Sequence, residues 1–273
     1  MNVVLPEKHK IKKSTIILYI ILALICALAI LVVVESEMFG NDVVNALFGV
    51  EKIFNKSVTE ETELKNNFEN IFDNTYEGKD YENLVTTSYT KVENVNNSEL
   101  SVNLPYVNID NSEVKKFNEE IKDTYQAKAE QVIKENSNNT IYTVKYKATV
   151  NKDVLSVVIR SDLKHGNNPQ RQMIETFNYD LKQNKTLSLK DVISKYNYQV
   201  SDVQNKINDD IKEEQNKAEE FKNLGYNIYS RDLKSDIYNV DNVANFFIYK
   251  DTIYIIFAYG NNNLTSEMDI VIL

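Results

Sequence analysis

A single stretch constrains this chain more than any other. Residues 16–34 read IILYIILALICALAILVVV, nineteen positions without one charge. As a helix rising ~1.5 Å per residue it would reach ~28 Å, about the thickness of a bilayer's hydrocarbon core. Lys8, Lys10, Lys12 and Lys13 stand just before it, and Glu35 and Glu37 just after. The positive-inside bias then predicts a cytoplasmic tail over 1–15, a single transmembrane helix over 16–34, and a chain that is extracytoplasmic from Glu35 onward. Three rival readings of the stretch fit less well, and one of them, a buried core helix of a soluble protein, seldom shows a charge-free run of this length beside a basic cluster. A cleavable signal would end near Ala27-Leu28-Ala29, yet the apolar run continues to Val34. A lipoprotein signal would need a small residue before Cys26, where Ile25 stands.

The remainder must fold on packing alone. Cys26 is the only cysteine of the 273 residues and lies inside the apolar run, so the outer part has no disulfide. With no tryptophan, the tyrosines (17 in the chain, all but Tyr19 in this part) and the 11 phenylalanines supply its large apolar surfaces. The net charge is −9; the first 34 residues hold four lysines against Glu7, or +3, which leaves −12 for the rest. So acidic an exterior argues against nucleic acid and anionic lipid as partners and suits a basic protein ligand.

Residues 35–85 read as a stalk and linker with short helices. Asn41 can cap one of them, and Thr59 opens another with an apolar stripe at Leu64, Phe68, Ile71 and Phe72. Residues 86–273 read as one extracytoplasmic domain. Leu100, Val102 and Leu104 alternate with polar residues in a strand predicted to stop at Pro105. Asp110, with Glu113 three residues on, predicts the cap of a helix whose inner side carries Val114, Phe117, Ile121, Tyr125 and Val132. Residues 143–150 and 155–159 alternate on either side of Asn151-Lys152-Asp153 and predict a hairpin, with a third strand over 173–181. Ser188 and Asp191 form a capping pair for a short helix. A longer helix over 202–224 shows Val203, Ile207, Ile211, Ala218 and Phe221 on one side and ends at Gly225. Strands close the chain at 246–248, 252–259 and 268–273. The pattern predicts an α+β fold, a mainly antiparallel sheet with two helices packed on one face.

Catalytic chemistry leaves little trace in these residues. The outer part holds one histidine, His165, and no cysteine, G-x-S-x-G or glycine-rich phosphate loop. No cofactor and no metal site are expected. Asp162 and His165 lie close in sequence, but a loop histidine beside an acid is ordinarily a surface pair. The acidic pairs of the long helix, such as Glu213-Glu214, point in different directions on a helix and read as a solvated face. The expectation is a protein that is not an enzyme. The alternatives are a cell-wall hydrolase using two carboxylates, whose spacing is invisible in sequence, and a structural or assembly factor for another envelope protein.

Four blocks carry a resemblance: NLPYVNID at 103–110, LKHGNNPQRQMIETFNYDL at 163–181, LSLKDVI at 187–193, and NFFIYKDTIYIIFAYGNNNLTSEMDIVI at 245–272. Together they resemble the extracytoplasmic domain of unknown function of RsiV-type anti-sigma factors, where it binds lysozyme, and which also accompanies the catalytic domain of some bacterial polysaccharide deacetylases. The resemblance covers 89–273 and implies a Gram-positive cell envelope and a role in recognition. Only about fifteen residues precede the anchor, so direct anti-sigma activity is not expected, and no deacetylase domain follows. The expected function is a non-catalytic, membrane-anchored recognition or sensor module of the envelope, with lysozyme or a cell-wall glycan as ligand. The candidate contact residues are His165, Asn167, Asn168 and Arg171 in one loop, and Tyr259 and Asn261 in another.

Overall fold

The computed structural model describes residues 68–73, 76–77, 83–95, 98–134 and 139–273. The tail expected at 1–15, the transmembrane helix expected at 16–34 and the stalk before residue 68 lie outside the described residues. Among the described residues no helix is long and apolar enough to cross a membrane.

Alternating side chains build two sheets. β2 (Val85–Val95) and β3 (Ser98–Val107) pair antiparallel. β3 then pairs parallel with β4 (Thr140–Asn151) over four residues, Glu99 to Val102 against Ile141 to Val144. A parallel pair needs a crossover, and the helical segment between these strands supplies it. That segment is α1 (Ser112–Ile121), a π-turn (Lys122–Gln126) and α2 (Ala127–Lys134). β4 folds back on β5 (Val154–His165) through Lys152 and Asp153, with φ of 48° and 64°. Left-handed backbone at both central positions makes the tight two-residue turn whose twist matches that of the strands. β6 (Arg171–Asp180) and β7 (Lys185–Thr186) extend the sheet antiparallel, and β1 (Tyr76–Glu77) adds a short parallel pairing to β4. β8 (Asn245–Tyr249), β9 (Thr252–Ala258) and β10 (Met268–Ile272) form a separate antiparallel sheet in the order β10-β9-β8.

The α+β class and the mainly antiparallel pairing are those expected; the placement of the helices is not. They do not share a face but divide between the sheets. Val114, Phe117, Ile121, Tyr125, Ala129 and Val132 cover one side of the large sheet, where Phe117 stacks on Phe177 at 4.4 Å. α3 (Leu189–Lys195) and α4 (Val200–Asn223) cover the small sheet instead, through Val192, Val203, Ile207 and Ile211 against Ile253, Ile255 and Val271. The other face of the small sheet meets the large one around Val158, Ile174, Phe247 and Tyr254. Phe68, Ile71 and Phe72 are buried in that same layer. Residues 68–72, expected in the stalk and linker segment, thus pack with the sheets. The spacing of Phe68, Ile71 and Phe72 at i, i+3 and i+4 puts all three on one side of the turn, facing that layer.

Several local expectations are corrected. β3 passes through Pro105 to Val107: a bulge at Ser88 relaxes the pairing there, with the Ser88 hydroxyl donating to the carbonyls of Leu104 and Pro105. Beyond Val102 the other edge of β3 carries no ladder for a proline to break. Asn111, not Asp110, caps α1 by accepting from the Glu113 N–H at 2.8 Å, while Asp110 pairs with Lys115 in solvent. The Glu113 carboxylate instead accepts from the backbone and hydroxyl of Thr186, tying α1 to β7. α4 begins at Val200, two residues before the position expected. At its far end Gly225, with φ of +90°, donates to Lys222 O and Tyr226 donates to Phe221 O, which closes the last turn. Phe221 is therefore not in the core but half exposed, its ring against that of Tyr226. The capping box of Ser188 and Asp191 is as expected.

The junction of the sheets rests on polar side chains. β8 is an edge strand whose outward backbone groups would otherwise be unpaired in the interior. Phe246 N–H donates to Thr176 Oγ1 at 3.1 Å and Ile248 N–H to Ser156 Oγ at 3.0 Å. Phe246 O accepts from Asn178 Nδ2 at 2.8 Å and Ile248 O from Thr149 Oγ1 at 2.5 Å. Thr149, Ser156 and Asn178 lie opposite one another on β4, β5 and β6. The edge of one sheet is thus planted on a polar row across the face of the other.

Candidate functional site

The loop after β5 and the loop after β9, read in sequence as two separate contact candidates, meet in the fold. Arg171 at the start of β6 donates from Nε to Gly260 O at 2.6 Å and from Nη2 to Asn261 O at 3.0 Å. Asn261 answers by clamping β6: its Oδ1 accepts from Ile174 N at 3.1 Å and its Nδ2 donates to Ile174 O at 2.8 Å. Between them Gly260 lies so close to β6 that a Cβ there would fall 1.8 Å from Gln172 O. Only glycine allows that approach. Arg171 and Asn261 hold the platform together.

His165 is exposed, with Nδ1 at 2.7 Å from Thr140 Oγ1. Asn167 and Asn168 are exposed on the same loop, where Asn168 N–H donates to His165 O and Lys164 Nζ donates to Asn168 O. Tyr259 is buried. Its hydroxyl donates to Asp269 and shares a hydrogen bond of 2.9 Å with the Tyr238 hydroxyl. Burial first, and then the neighbouring Asp269 carboxylate, push the Tyr259 hydroxyl far above the ordinary tyrosine range. Burial likewise pushes Tyr238 up to about 12.

Beneath the platform lies an ion pair that sequence reading missed. Arg231 grips Asp269 through Nε at 2.9 Å and Nη2 at 2.8 Å, and its Nη1 donates to Tyr229 O at 2.8 Å. Burial opposes the charge of Arg231, but the hydrogen bond and charge of Asp269 outweigh it and raise the guanidinium above its usual range. Arg231 sits in a segment without periodicity between α4 and β8, and Asp269 sits at an inward position of β10. A lone acid in a strand that otherwise reads apolar was the one signal available.

Two hollows flank the platform. The larger, ≈ 530 Å³, is polar, with Arg160, Glu214, Arg231, Glu267 and Asp269 in its wall. The smaller, ≈ 120 Å³, carries no charged residue: Tyr229, Phe257, Asn242, Asn245, Asn262 and Asn263 are among those that line it. Tyr229 stacks on Tyr259 at 4.2 Å between centroids, so the ion pair below braces its aromatic wall. Among the described residues no three His, Cys, Asp or Glu side chains are grouped to hold a metal.

No protein family and no curated protein matches the chain. Among solved structures, a member of the DUF3298 family from Bacteroides fragilis is similar over 69% of this chain and 89% of its own, at 13% identity and a TM-score of 0.37. A DUF3298 family protein from Pseudomonas aeruginosa is similar over 39% of this chain and 53% of its own, at 14% identity and a TM-score of 0.27. This chain thus spans about half the length of the second.

Proposed function

We propose that the chain is a membrane-anchored, extracytoplasmic recognition module of the bacterial cell envelope that binds its ligand without transforming it. The observation that carries this reading is the platform itself. Two loops are locked by Arg171, Gly260 and Asn261 into a rigid surface that presents asparagine side chains and an aromatic wall. Preorganised polar and aromatic surfaces suit binding, because little order is lost when the partner arrives. The apolar stretch at 16–34 tethers the module, and the acidic outer part suits a basic wall-lytic protein such as lysozyme, with a cell-wall glycan as the other ligand class. Capture of lysozyme or of purified peptidoglycan by the soluble 35–273 fragment tests this. Binding to neither would refute it.

A second reading, a carboxylate-dependent wall hydrolase, has one observation in its favour: Glu214, Glu267 and Asp269 line the larger hollow. Against it, Asp269 is held by Arg231 and Tyr259, and Glu214 pairs with Lys217 at 2.7 Å. Acids engaged in this way are not poised to exchange protons with a substrate. Clearing of a peptidoglycan suspension by the purified protein, abolished in Glu267→Gln, would establish the hydrolase.

A further inference from the structure

We propose that the uncharged cleft beside Tyr229 is a site for a neutral, N-acetylated sugar residue of a glycan chain. The inference rests on the recognition reading and names the ligand class of one part of its surface. The lining residues carry no charge, in a chain where charged residues make up 26%. An ionic ligand would lose hydration there and gain no counter-charge. The cleft offers amides instead. Asn262 and Asn263 make no side-chain hydrogen bond among the described residues, and Asn242 and Asn245 each engage one amide atom, Asn242 Nδ2 with Asp236 O and Asn245 Oδ1 with Thr176 Oγ1, leaving the other open. Free carboxamides that both donate and accept match an acetamido group and ring hydroxyls. The Tyr229 ring, braced by Tyr259, supplies a flat apolar wall for the carbon face of a sugar ring. At ≈ 120 Å³ the cleft is smaller than the ~300–1,000 Å³ of sites that enclose drug-sized ligands, so it suits one ring or its acetamido arm with the chain continuing outside.

The main competitor is an extended peptide, which would need a free strand edge to pair with. The strands beside the cleft offer none. β9 is paired on both sides by β8 and β10, and the outward groups of Phe246 and Ile248 on β8 are taken by Thr176, Asn178, Ser156 and Thr149.

The test is calorimetric titration of the full chain, in a detergent without a sugar headgroup, with tri-N-acetylchitotriose, with maltotriose, and with lysozyme in parallel. The wild type is expected to bind the acetylated trimer saturably and at least tenfold more tightly than maltotriose. The double variant Asn262→Asp with Asn263→Asp, at exposed positions, should keep the wild-type melting temperature and lose at least tenfold in that affinity. Absence of trimer binding, equal affinity for maltotriose, or unchanged affinity in the variant would each overturn the assignment. Lysozyme binding without trimer binding overturns the sugar site and leaves the recognition reading standing; binding of neither overturns the sugar site, and the recognition reading falls with it where peptidoglycan is not captured either.

Discussion

The hydroxyl of Ser156, fully buried in the large sheet, accepts the backbone N–H of Ile248 in the small one at 3.0 Å and donates to Asn178 Oδ1 at 2.5 Å. Removing it strands two polar groups in the interior. Ser156→Ala should therefore destabilise the domain by about 1–3 kcal/mol, the cost of burying an unsatisfied donor or acceptor. Urea unfolding measures the loss, and faster hydrogen exchange at Ile248 and Phe246 would locate it. An unchanged midpoint would show that the seam is held by apolar packing alone.

Arg231 and Asp269 are buried together, so breaking the pair should hurt more than deleting it. Arg231→Met leaves a buried carboxylate without its cation and is expected to cost about 3–5 kcal/mol. The double variant Arg231→Met with Asp269→Leu should recover at least half of that. Equal losses in single and double variants would mean that the guanidinium matters for its bonds to Tyr229 rather than for its charge.

Gly260→Ala drives a methyl group into the backbone of β6. The loop must then lift away from Gln172 and Thr265, at a cost of about 1–3 kcal/mol or more. A lower melting temperature together with weaker ligand binding is the expected pair of results. Loss of stability with binding intact would separate the platform from recognition.

Glu175 lies between the large sheet and its helical layer, where its carboxylate accepts from Tyr125 Oη at 3.0 Å. Burial raises its pKa above the ordinary carboxylate range, Tyr125 pulls it back and Glu120 adds to the rise. A folded-state pKa above the unfolded one means the native state holds its proton longer. Stability is then greatest below the unfolded value of about 4.3 and falls as pH rises through the folded value. Glu175→Gln should flatten that fall and melt no lower than the wild type at neutral pH. Melting curves from about pH 4 to pH 7 compare the two; parallel profiles would remove Glu175 as the source.

Tyr229, the wall of the proposed sugar site, was silent in the sequence. Residues 226–239 show neither helical nor strand period, and their role appears only when Arg231 is seen anchored on β10. The strands and helices themselves were legible because each has a repeating apolar side, as at Val114, Phe117, Ile121 and Tyr125 or at Val144, Tyr146 and Ala148. Ser156 in the run Leu155-Ser-Val157 and Asn178 beside Phe177 broke that pattern. In a sequence such breaks look like tolerated polar residues, because the strand edge they serve lies 92 and 68 positions away. The surroundings of the contact candidates were hidden for a related reason. Composition marked Arg171, Tyr259 and Asn261 as able to bind; in the fold Arg171 holds the Gly260 and Asn261 carbonyls, Asn261 clamps Ile174 and Tyr259 bonds Asp269 and Tyr238, while the neighbouring Asn262 and Asn263 stay exposed.

Local pattern alone determined the α+β class, the order of the elements, the hairpin at Lys152-Asp153 and the caps at Ser188 and Gly225. These depend on dihedral preference and on side chains a few residues apart. Which sheet each helix covers, how one sheet's edge is seated on the other, and which loop residues remain free were decided only in three dimensions. Those outcomes depend on pairing polar groups that the chain brings together from far apart, and no periodicity encodes such a meeting.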